Sequence, residues 1–202
     1  QLVRSVVLSK TYRQSSDAES DEYARDPENR WLSRGPRHRL DAEVIRDQIL
    51  LLSGKLNAKM YGPSVKPPQP PGLWEAVSMA APFTYVADEG DAIYRRSFYT
   101  YWRRGMPPPQ MTILNAPSRE ECIARRERTN TPLQSLLLLN EPEYLRAARH
   151  LAARVVSESS DAPADRVDEI YETITSQLPA DTERQALISL VAELQARYQE
   201  SP

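Results

Sequence analysis

The chain has 202 residues, and its 26 basic and 28 acidic side chains leave a formal net charge of −2. This length suits one domain, or one domain with a small appendage, and the balance of charge argues against a strongly basic nucleic-acid surface. One cysteine cannot form an internal disulfide or a four-ligand zinc site. No apolar run reaches the roughly 18 residues needed to cross a bilayer.

Arginine and proline are frequent in the composition. Of the 26 basic residues 22 are arginine, and 17 prolines stand against 6 glycines. The planar guanidinium of arginine suits paired, partly buried contacts, whereas lysine is the usual choice for a merely soluble surface. The prolines predict that much of the chain is stiff connection without regular hydrogen bonding.

The amino end predicts a short helix followed by a polar loop. The apolar residues at positions 2–7 form one helical face, and the helix should end near positions 9–12. Residues 13–28 are polar and acidic, and the Asp26–Pro27 pair disfavours helix at that point. Because the chain begins inside a helical pattern, without Met or a signal peptide, we expect it to be the carboxy-terminal piece of a longer protein.

The second helix is the clearest prediction. Apolar side chains repeat at helical spacing through residues 40–52, and Ser53–Gly54 follows as a stop signal. Its polar side carries acids and arginines three or four positions apart, which can pair along one helical face. We therefore expect a polar network made of Arg39, Asp41, Glu43, Arg46 and Asp47.

Residues 55–92 are predicted to form a long proline-rich excursion. Six prolines fall between positions 63 and 82, which favours extended polyproline-like structure. A connection this long inside a compact domain usually covers a functional site or remains a disordered link. The aromatic residues Trp74, Phe83 and Tyr85 predict that parts of the excursion dock on the rest of the chain.

Residues 93–114 are predicted to form a β-ribbon. The aromatic and arginine residues of 93–104 alternate as in a strand, and residues 111–114 can return as a second short strand. A two-stranded ribbon is unstable alone, so we expect it to lie on the helices.

The last part of the chain is predicted to be helical. Thr131, Pro132 and Gln134 form a capping box, which begins a helix whose apolar run 133–139 we expect to be central. A second proline-led start at Pro142 opens another helix, and two more follow, one around residues 167–174 and one from Asp181.

These elements predict a mainly α fold, with one short antiparallel β-hairpin and a long proline-rich loop. The predicted core spans residues 1–158, with the excursion at 55–92, the ribbon at 93–114 and capped helices at 131–158. Residues 159–202 are predicted to be a carboxy-terminal helical pair packed on that core.

The sequence offers no metal or haem motif. His38 and His150 are far apart, and no histidine or cysteine pair has the spacing of metal ligands, so we expect no metal site. No CxxCH occurs, so this fragment attaches no c-type haem. Cys122 lies near Arg125 and Arg126, which can lower the pKa of a thiol, but a small buried or half-buried thiol is the favoured interpretation, with an intermolecular disulfide as an alternative.

Two interpretations of the acidic group at positions 41–47 remain open. Carboxylate catalysis needs two acids that face a cleft. Each of Asp41, Glu43 and Asp47 has arginines nearby, which favours an ionised, structural role in a buried ion-pair network.

Arginine and aromatic residues interleave in the segment 94–104. Aromatic faces suit sugar rings or bases, and guanidinium groups suit carboxylate or sulfate. Packing of the segment on the core, with arginine stacked over rings, is the favoured interpretation. The candidate ligand-binding residues are Arg13, Gln14, Arg95, Arg96, Tyr99, Trp102, Arg125 and Arg126.

Four motifs in order resemble the planctomycete-specific carboxy-terminal domain of unknown function (PSD-type) found in planctomycete cytochrome-c-domain proteins. They are TYRQSS at 11–16, NRWLSRGPRHRLDAEVIRDQILLLSG at 29–54, RRSFYTYWRRGMP at 95–107 and RRERTNTPLQSLLLLNEP at 125–142. The chain departs from the pattern at Leu114–Asn115–Ala116–Pro117, where members often show Phe-Asp-Ala-Pro, and at Gln177, where an arginine is usual.

The resemblance implies a bacterial protein that is exported, periplasmic or in the cell envelope. It also implies a multidomain parent with haem c in its upstream part and no cofactor in this fragment. The expected partners are the upstream domains of the same polypeptide and an envelope or extracellular polysaccharide. We expect no nucleic-acid partner and no membrane span in this fragment. The family brings no assigned reaction to any of these residues.

The first functional hypothesis is a non-catalytic module for scaffolding, interaction or envelope-polymer binding. The alternative is part of the active cleft of a hydrolase or oxidase that acts on complex polysaccharide. The two differ in the residues at positions 39–47: an enzyme needs them open to water in a pocket, whereas a scaffold needs them buried and paired.

Overall fold

The computed structural model describes residues 1–74 and 84–200. The contacts divide the chain into two compact units, residues 1–40 and residues 41–202. About half of the chain, 51%, is helical, so the prediction of a mainly helical protein is confirmed. No helix among the described residues is both long enough and apolar enough to span a bilayer.

The first unit contains two short helices, α1 (Leu2–Val7) and α2 (Ser20–Arg25), joined by loops. Its loops close through a short hydrogen bond from the Gly35 amide to the Ser15 carbonyl, at 2.7 Å. A Cβ at position 35 would come within 2.7 Å of the Gln14 carbonyl oxygen, so this close approach requires glycine.

A buried aspartate organises the turn after α2. Both carboxylate oxygens of Asp26 accept backbone N–H groups, from Arg30 at 2.8 Å and Trp31 at 2.9 Å. Arg34 returns to the same turn, since its Nη2 donates to the Asp26 carbonyl at 2.6 Å and its guanidinium lies 4.3 Å from the Tyr23 ring centre. Burial acts to raise the pKa of Asp26, but the two backbone donors and the nearby arginines outweigh it, so the pKa is lowered.

The second unit contains six helices within the described residues. They are α3 (Ala42–Leu52), α4 (Pro109–Ile113), α5 (Pro132–Asn140), α6 (Pro142–Glu158), α7 (Pro163–Thr175) and α8 (Asp181–Glu200). Helices α4 to α7 each begin with proline, whose missing N–H has no partner in the first turn of a helix in any case. The predicted helix at residues 40–52 and the start at Asp181 are confirmed.

Helix α6 packs against α3, α5 and α7, and α8 packs on α7. An apolar cluster of Ala42, Met111 and Leu114 fills the space between α3 and the α4 region. Trp102 and Leu137 pack against this cluster and are partly buried. The core therefore joins residues from distant parts of the chain.

The excursion at 55–92 docks where the structure describes it. Trp74 is buried and stacks on Tyr85 with ring centres 4.9 Å apart. The Tyr85 hydroxyl donates to the Pro67 carbonyl, and the Trp74 indole donates to Gln69 Oε1, both at 2.7 Å. The Arg103 guanidinium lies 5.6 Å from the Trp74 ring centre, so the docking predicted for Trp74 is confirmed, whereas the Tyr85 contacts above lie within the excursion and Phe83 lies outside the described residues.

The β-hairpin predicted at residues 93–114 is not confirmed. This stretch contains two short 3₁₀ helices, Gly90–Tyr94 and Ser97–Tyr99, and then α4. Its backbone pairs with the excursion, since Val65 donates to the Tyr99 carbonyl at 2.8 Å and Tyr101 donates to the Val65 carbonyl at 2.7 Å. Proline lacks the N–H that a ladder needs, so the described residues form isolated bridges in place of a ribbon.

The prediction that the apolar run 133–139 is central is wrong. Four of its five leucines are exposed on α5, with exposed fractions of 55% for Leu133, 57% for Leu136 and 71% for Leu139, and only Leu137 packs on the apolar cluster. The buried residue of this helix is Gln134, with no exposed surface. The hydrogen bonds of its amide fix which face of α5 turns inwards.

Candidate functional site

Arg46, in the middle of α3, is the most enclosed polar side chain of the predicted network. It has no exposed surface. Its Nε and Nη2 bind the two carboxylate oxygens of Glu143 at 2.8 and 2.5 Å. The other N–H groups bind the carbonyls of Arg95 and Ile93 at 2.9 and 2.8 Å, and the Ser97 hydroxyl at 3.3 Å. Every side of the guanidinium therefore has an acceptor, which is the condition under which a buried charge is tolerated.

Asp47, the next residue of α3, binds the same neighbouring segment. Its Oδ1 accepts the backbone N–H of Ser97 at 2.7 Å. Together, the side chains of Arg46 and Asp47 attach α3 to the backbone of the two 3₁₀ helices.

Asp41 and Glu43 share a different cation at the start of α3. Arg126 binds Glu43 through two N–H groups, at 2.7 and 3.3 Å, and lies 3.4 Å from Asp41. Burial acts to raise the pKa of Glu43, but the hydrogen bond and charge of Arg126 outweigh it and lower the pKa. The Glu43 hydrogen bond in turn raises the pKa of Arg126. The pair is therefore ionised at neutral pH.

The predicted network is thus two clusters in the second unit. Arg46 and Asp47 belong to one, and Asp41 and Glu43 belong to the other. Arg39 lies in the first unit and has an interaction partner there or elsewhere in the chain.

The sequence analysis missed the role of Glu143, the carboxylate that pairs with Arg46. The residue lies 97 positions away in the chain. The available signal was an acid directly after the proline that begins α6, where the helix dipole favours negative charge. Glu141, two positions earlier, is only half-buried, and its burial and the Glu143 charge raise the pKa of its carboxyl.

Gln134 was predicted as part of the capping box, and this is confirmed. Thr131 accepts the Gln134 backbone N–H, and Gln134 Oε1 accepts the Thr131 N–H at 3.1 Å. The further bonds were not predicted: Nε2 also donates to the Ile113 carbonyl at 2.9 Å and to Asn115 Oδ1 at 2.6 Å. The amide oxygen of Asn115 is thus an acceptor for the buried Gln134 side chain.

Arg95, between the two 3₁₀ helices, contacts Tyr99 at the end of the second one. The Arg95 guanidinium lies 3.8 Å from the centre of the Tyr99 ring. Its N–H groups donate to the carbonyls of Tyr61 at 2.6 Å, Pro63 at 2.9 Å and Lys59 at 3.2 Å. Arg95 is buried and its Nη groups bind these carbonyls, so it fixes the loop at 59–63.

Exposed aromatic side chains surround this pair. Tyr61 is 81% and Phe98 is 82% exposed. Phe98 meets the Tyr99 ring edge to face at 5.4 Å between centres. Arg96 is also exposed, and its guanidinium lies 3.7 Å from the Met60 sulfur. We call Tyr61, Phe98 and Tyr99 the aromatic platform.

A polar cleft of about 550 Å³ opens beside the platform. Residues with amide, ammonium and carboxylate side chains line it together with Tyr61. The main lining residues are Asn57, Lys59, Tyr61, Asp88, Glu89 and Arg95.

The other predicted ligand-binding residues lie elsewhere. Arg13 and Gln14 belong to the first unit, where Gln14 donates to the Ser33 carbonyl at 3.2 Å. Trp102 packs on the apolar cluster and carries the guanidinium of Arg119 4.2 Å from its ring centre.

Two predictions concern the loop before α5. Arg125 is exposed there, whereas the Arg126 guanidinium binds the Glu43 carboxylate. The expectation of a buried or half-buried Cys122 is wrong, because the thiol is free and exposed. No group of three metal-binding side chains occurs in residues 1–74 and 84–200.

A protein-family model, PSD1, described as "Protein of unknown function (DUF1553)", matches residues 1–191. The match includes both units and every residue of the two clusters and the platform. No curated protein and no solved structure matches the chain.

Proposed function

The chain belongs to the PSD1 family of unknown function, and we propose that it is a non-catalytic interaction module that packs on other domains of its polypeptide. The proposal places it at the carboxy end of an exported, multidomain, cytochrome-type bacterial protein of the periplasm or cell envelope. The order of the four motifs at 11–16, 29–54, 95–107 and 125–142 supports this setting. The haem c of such a parent belongs to its upstream part.

The enclosure of Arg46 is the observation that carries the proposal. A catalytic arginine or carboxylate must reach a substrate, but Arg46 has no exposed surface and Glu143 has 3%. Asp47 binds a backbone amide, and Glu43 binds Arg126 in a bidentate pair. These groups connect segments of the chain, which supports a structural role over acid–base chemistry.

The leucine face of α5 supports the interaction role. We define it as Leu133, Leu136 and Leu139, and each is more than half exposed. Contiguous exposed apolar side chains on a soluble protein mark sites of association. Because the face lies on a helix fixed by Gln134 and the capping box, it is a rigid surface suited to a domain of the same polypeptide.

The test uses the complete polypeptide that carries this domain, with a protease site engineered before residue 1. After cleavage, we expect the domain to co-elute with the remainder in size-exclusion chromatography. The double substitution Leu136→Gln and Leu139→Gln should release it. Leu178→Gln is the matched control, because Leu178 is 68% exposed outside this face and should leave the complex intact.

Separation of the cleaved wild-type domain would refute the proposal. So would turnover of a polysaccharide by the chain that disappears in Glu43→Gln at an unchanged melting temperature, since that result supports the enzyme alternative.

A further inference from the structure

The aromatic platform exposes large apolar side chains on a rigid support. Phe98 is 82% exposed, yet Ser97 before it is 2% and Thr100 close behind it is 6% exposed. The backbone on both sides is therefore held in the protein while the Phe98 ring projects into water.

Hydrogen bonds fix the support in place. Asp47 holds the Ser97 amide, and Arg46 holds the Arg95 carbonyl. Tyr61 is held similarly, because its amide donates to the Tyr99 hydroxyl at 2.8 Å and its carbonyl accepts from Arg95. Binding on such a platform would cost little ordering of the protein, because the backbone is already positioned.

Exposure of these rings is unfavourable for an isolated chain. Burial of a phenylalanine side chain is favourable because it removes a large apolar area from water. Packing of Phe98 and Tyr61 into the core would be the expected outcome if they had only a structural role. Tyr61 also lines the polar cleft, and an exposed ring beside polar groups points to a ligand that has both an apolar face and many hydroxyl groups, which is the chemistry of a sugar ring.

Cations beside the platform point to charge on that ligand. Within the described residues, Arg96 and Lys59 form no ion pair, and the hydrogen bond of the Arg96 guanidinium goes to the weakly accepting Met60 sulfur. A guanidinium suits carboxylate or sulfate oxygens. The cleft adds the carboxylates of Asp88 and Glu89, which can accept hydrogen bonds from sugar hydroxyls, although one Asp88 oxygen already accepts the Lys66 N–H.

We infer that the platform and the adjoining cleft bind an anionic polysaccharide. Pyranose rings stack on Phe98 and Tyr61, the hydroxyls enter the cleft, and a uronate or sulfate group lies on Arg96. Arg95 is a positioning residue that shapes the loop at 59–63. This site is separate from the leucine face of α5 and does not depend on the proposed packing function.

The test is affinity electrophoresis of the 202-residue chain in gels that contain alginate, a polyuronate. We expect retardation that is strong at low salt and weaker at high salt, because part of the attraction is between exposed charges. Phe98→Ala should weaken binding about tenfold, the loss of one stacked ring. Arg96→Gln should weaken binding to alginate severalfold and leave the weaker binding to neutral hydroxyethyl cellulose unchanged.

Matched variants separate the site from general effects. Tyr198→Ala removes another exposed aromatic ring, 74% exposed on α8, and Arg149→Gln removes another exposed arginine on α6. Both should bind alginate as the wild type does, and the melting temperature of every variant should match that of the wild type. No retardation by alginate, or equal loss in the control variants, would overturn the inference. Tighter binding of single-stranded poly(U) than of alginate, lost in Phe98→Ala, would assign the platform to nucleic acid instead.

Discussion

Buried arginines in this protein bind mainly the backbone. Arg46 donates to two carbonyls besides its carboxylate, Arg95 donates to three, and Arg34 donates to the carbonyls of Asp26 and Pro27. A guanidinium has five donors in a fixed fork, so one side chain can fix several non-helical segments at once. The abundance of arginine over lysine thus has a structural use, as the composition suggested.

Replacement of Arg46 should be among the most damaging single changes. Arg46→Gln leaves the buried Glu143 carboxylate without its partner, and we expect a loss of about 3–5 kcal/mol in the free energy of unfolding. Urea denaturation measures it. Arg149→Gln, an exposed arginine of α6, should change this free energy by less than about 0.5 kcal/mol. The double variant Arg46→Gln/Glu143→Gln should lose less free energy of unfolding than the sum of the two single losses. Strict additivity would contradict the pairing.

Glu141 provides a prediction about pH. Burial and the Glu143 charge raise the pKa of its carboxyl in the folded state, so its ionisation near neutral pH opposes folding. Glu141→Gln should therefore stabilise the protein at pH 7, by less than about 1 kcal/mol because the group is half exposed. The advantage should shrink as pH falls through the folded pKa and vanish below the unfolded value of 4.5. Denaturation curves over this pH range check it, and an advantage that grows on acidification would refute the assignment.

At the scale of the element, α5 turns its one strongly polar side inwards. Gln134 bonds Thr131, Asn115 and the Ile113 carbonyl, while every leucine of the helix except Leu137 is exposed. A buried amide costs free energy unless its hydrogen bonds are made, and here they are made by the loop before the helix and by the end of α4. Polar contacts thus decide the orientation of this helix against its own apolar pattern.

Substitutions along α5 should therefore cost more free energy of unfolding at the polar Gln134 than at the exposed Leu136. Thr131→Ala should cost about 1 kcal/mol in the free energy of unfolding through loss of the cap. Gln134→Ala should cost more, about 1–3 kcal/mol, because it also leaves buried partners unpaired. Leu136→Gln should cost less than about 0.5 kcal/mol. Thermal or urea unfolding decides the matter, and a larger loss from Leu136→Gln than from Gln134→Ala would contradict the placement of the helix.

The elements that could be predicted from sequence are those fixed by local signals. The apolar spacing of α3, the capping box at Thr131 and the acidic start of α8 each lie within one or two helical turns. The ribbon and the central leucines were predicted wrongly, because their outcome depends on distant partners. Residues 93–101 pair with residues 57–65, and no local pattern shows that a proline-rich segment will take the place of a second strand.

At the scale of the whole molecule, the described apolar core lies in the second unit. The buried apolar residues run from Ala42 to Val167, whereas the buried polar residues of the first unit are Asp26 and Arg34. Only some of the residues predicted for the candidate site lie close together in the structure. Arg46, Asp47, Arg95 and Tyr99 come together around Ser97, a meeting that the sequence spacing alone did not indicate.

The second unit should fold without the first. A fragment of residues 41–202 contains the described apolar core and the Arg46–Glu143 pair, so we expect a cooperative unfolding transition and a helical circular-dichroism spectrum. A peptide of residues 1–40 is too short for a sufficient core and should be unfolded. A non-cooperative transition in the 41–202 fragment would show that the division into units has no energetic meaning.

The contacts of Arg46 and Arg95 with main-chain oxygens have an evolutionary consequence. A peptide oxygen presents the same acceptor whichever amino acid bears it, so positions such as 63 and 93 can drift freely while the arginine that reaches them cannot. Homologues should accordingly retain arginines surrounded by variable neighbours, a signature that pairwise covariation would overlook because only one member of each contact is under selection.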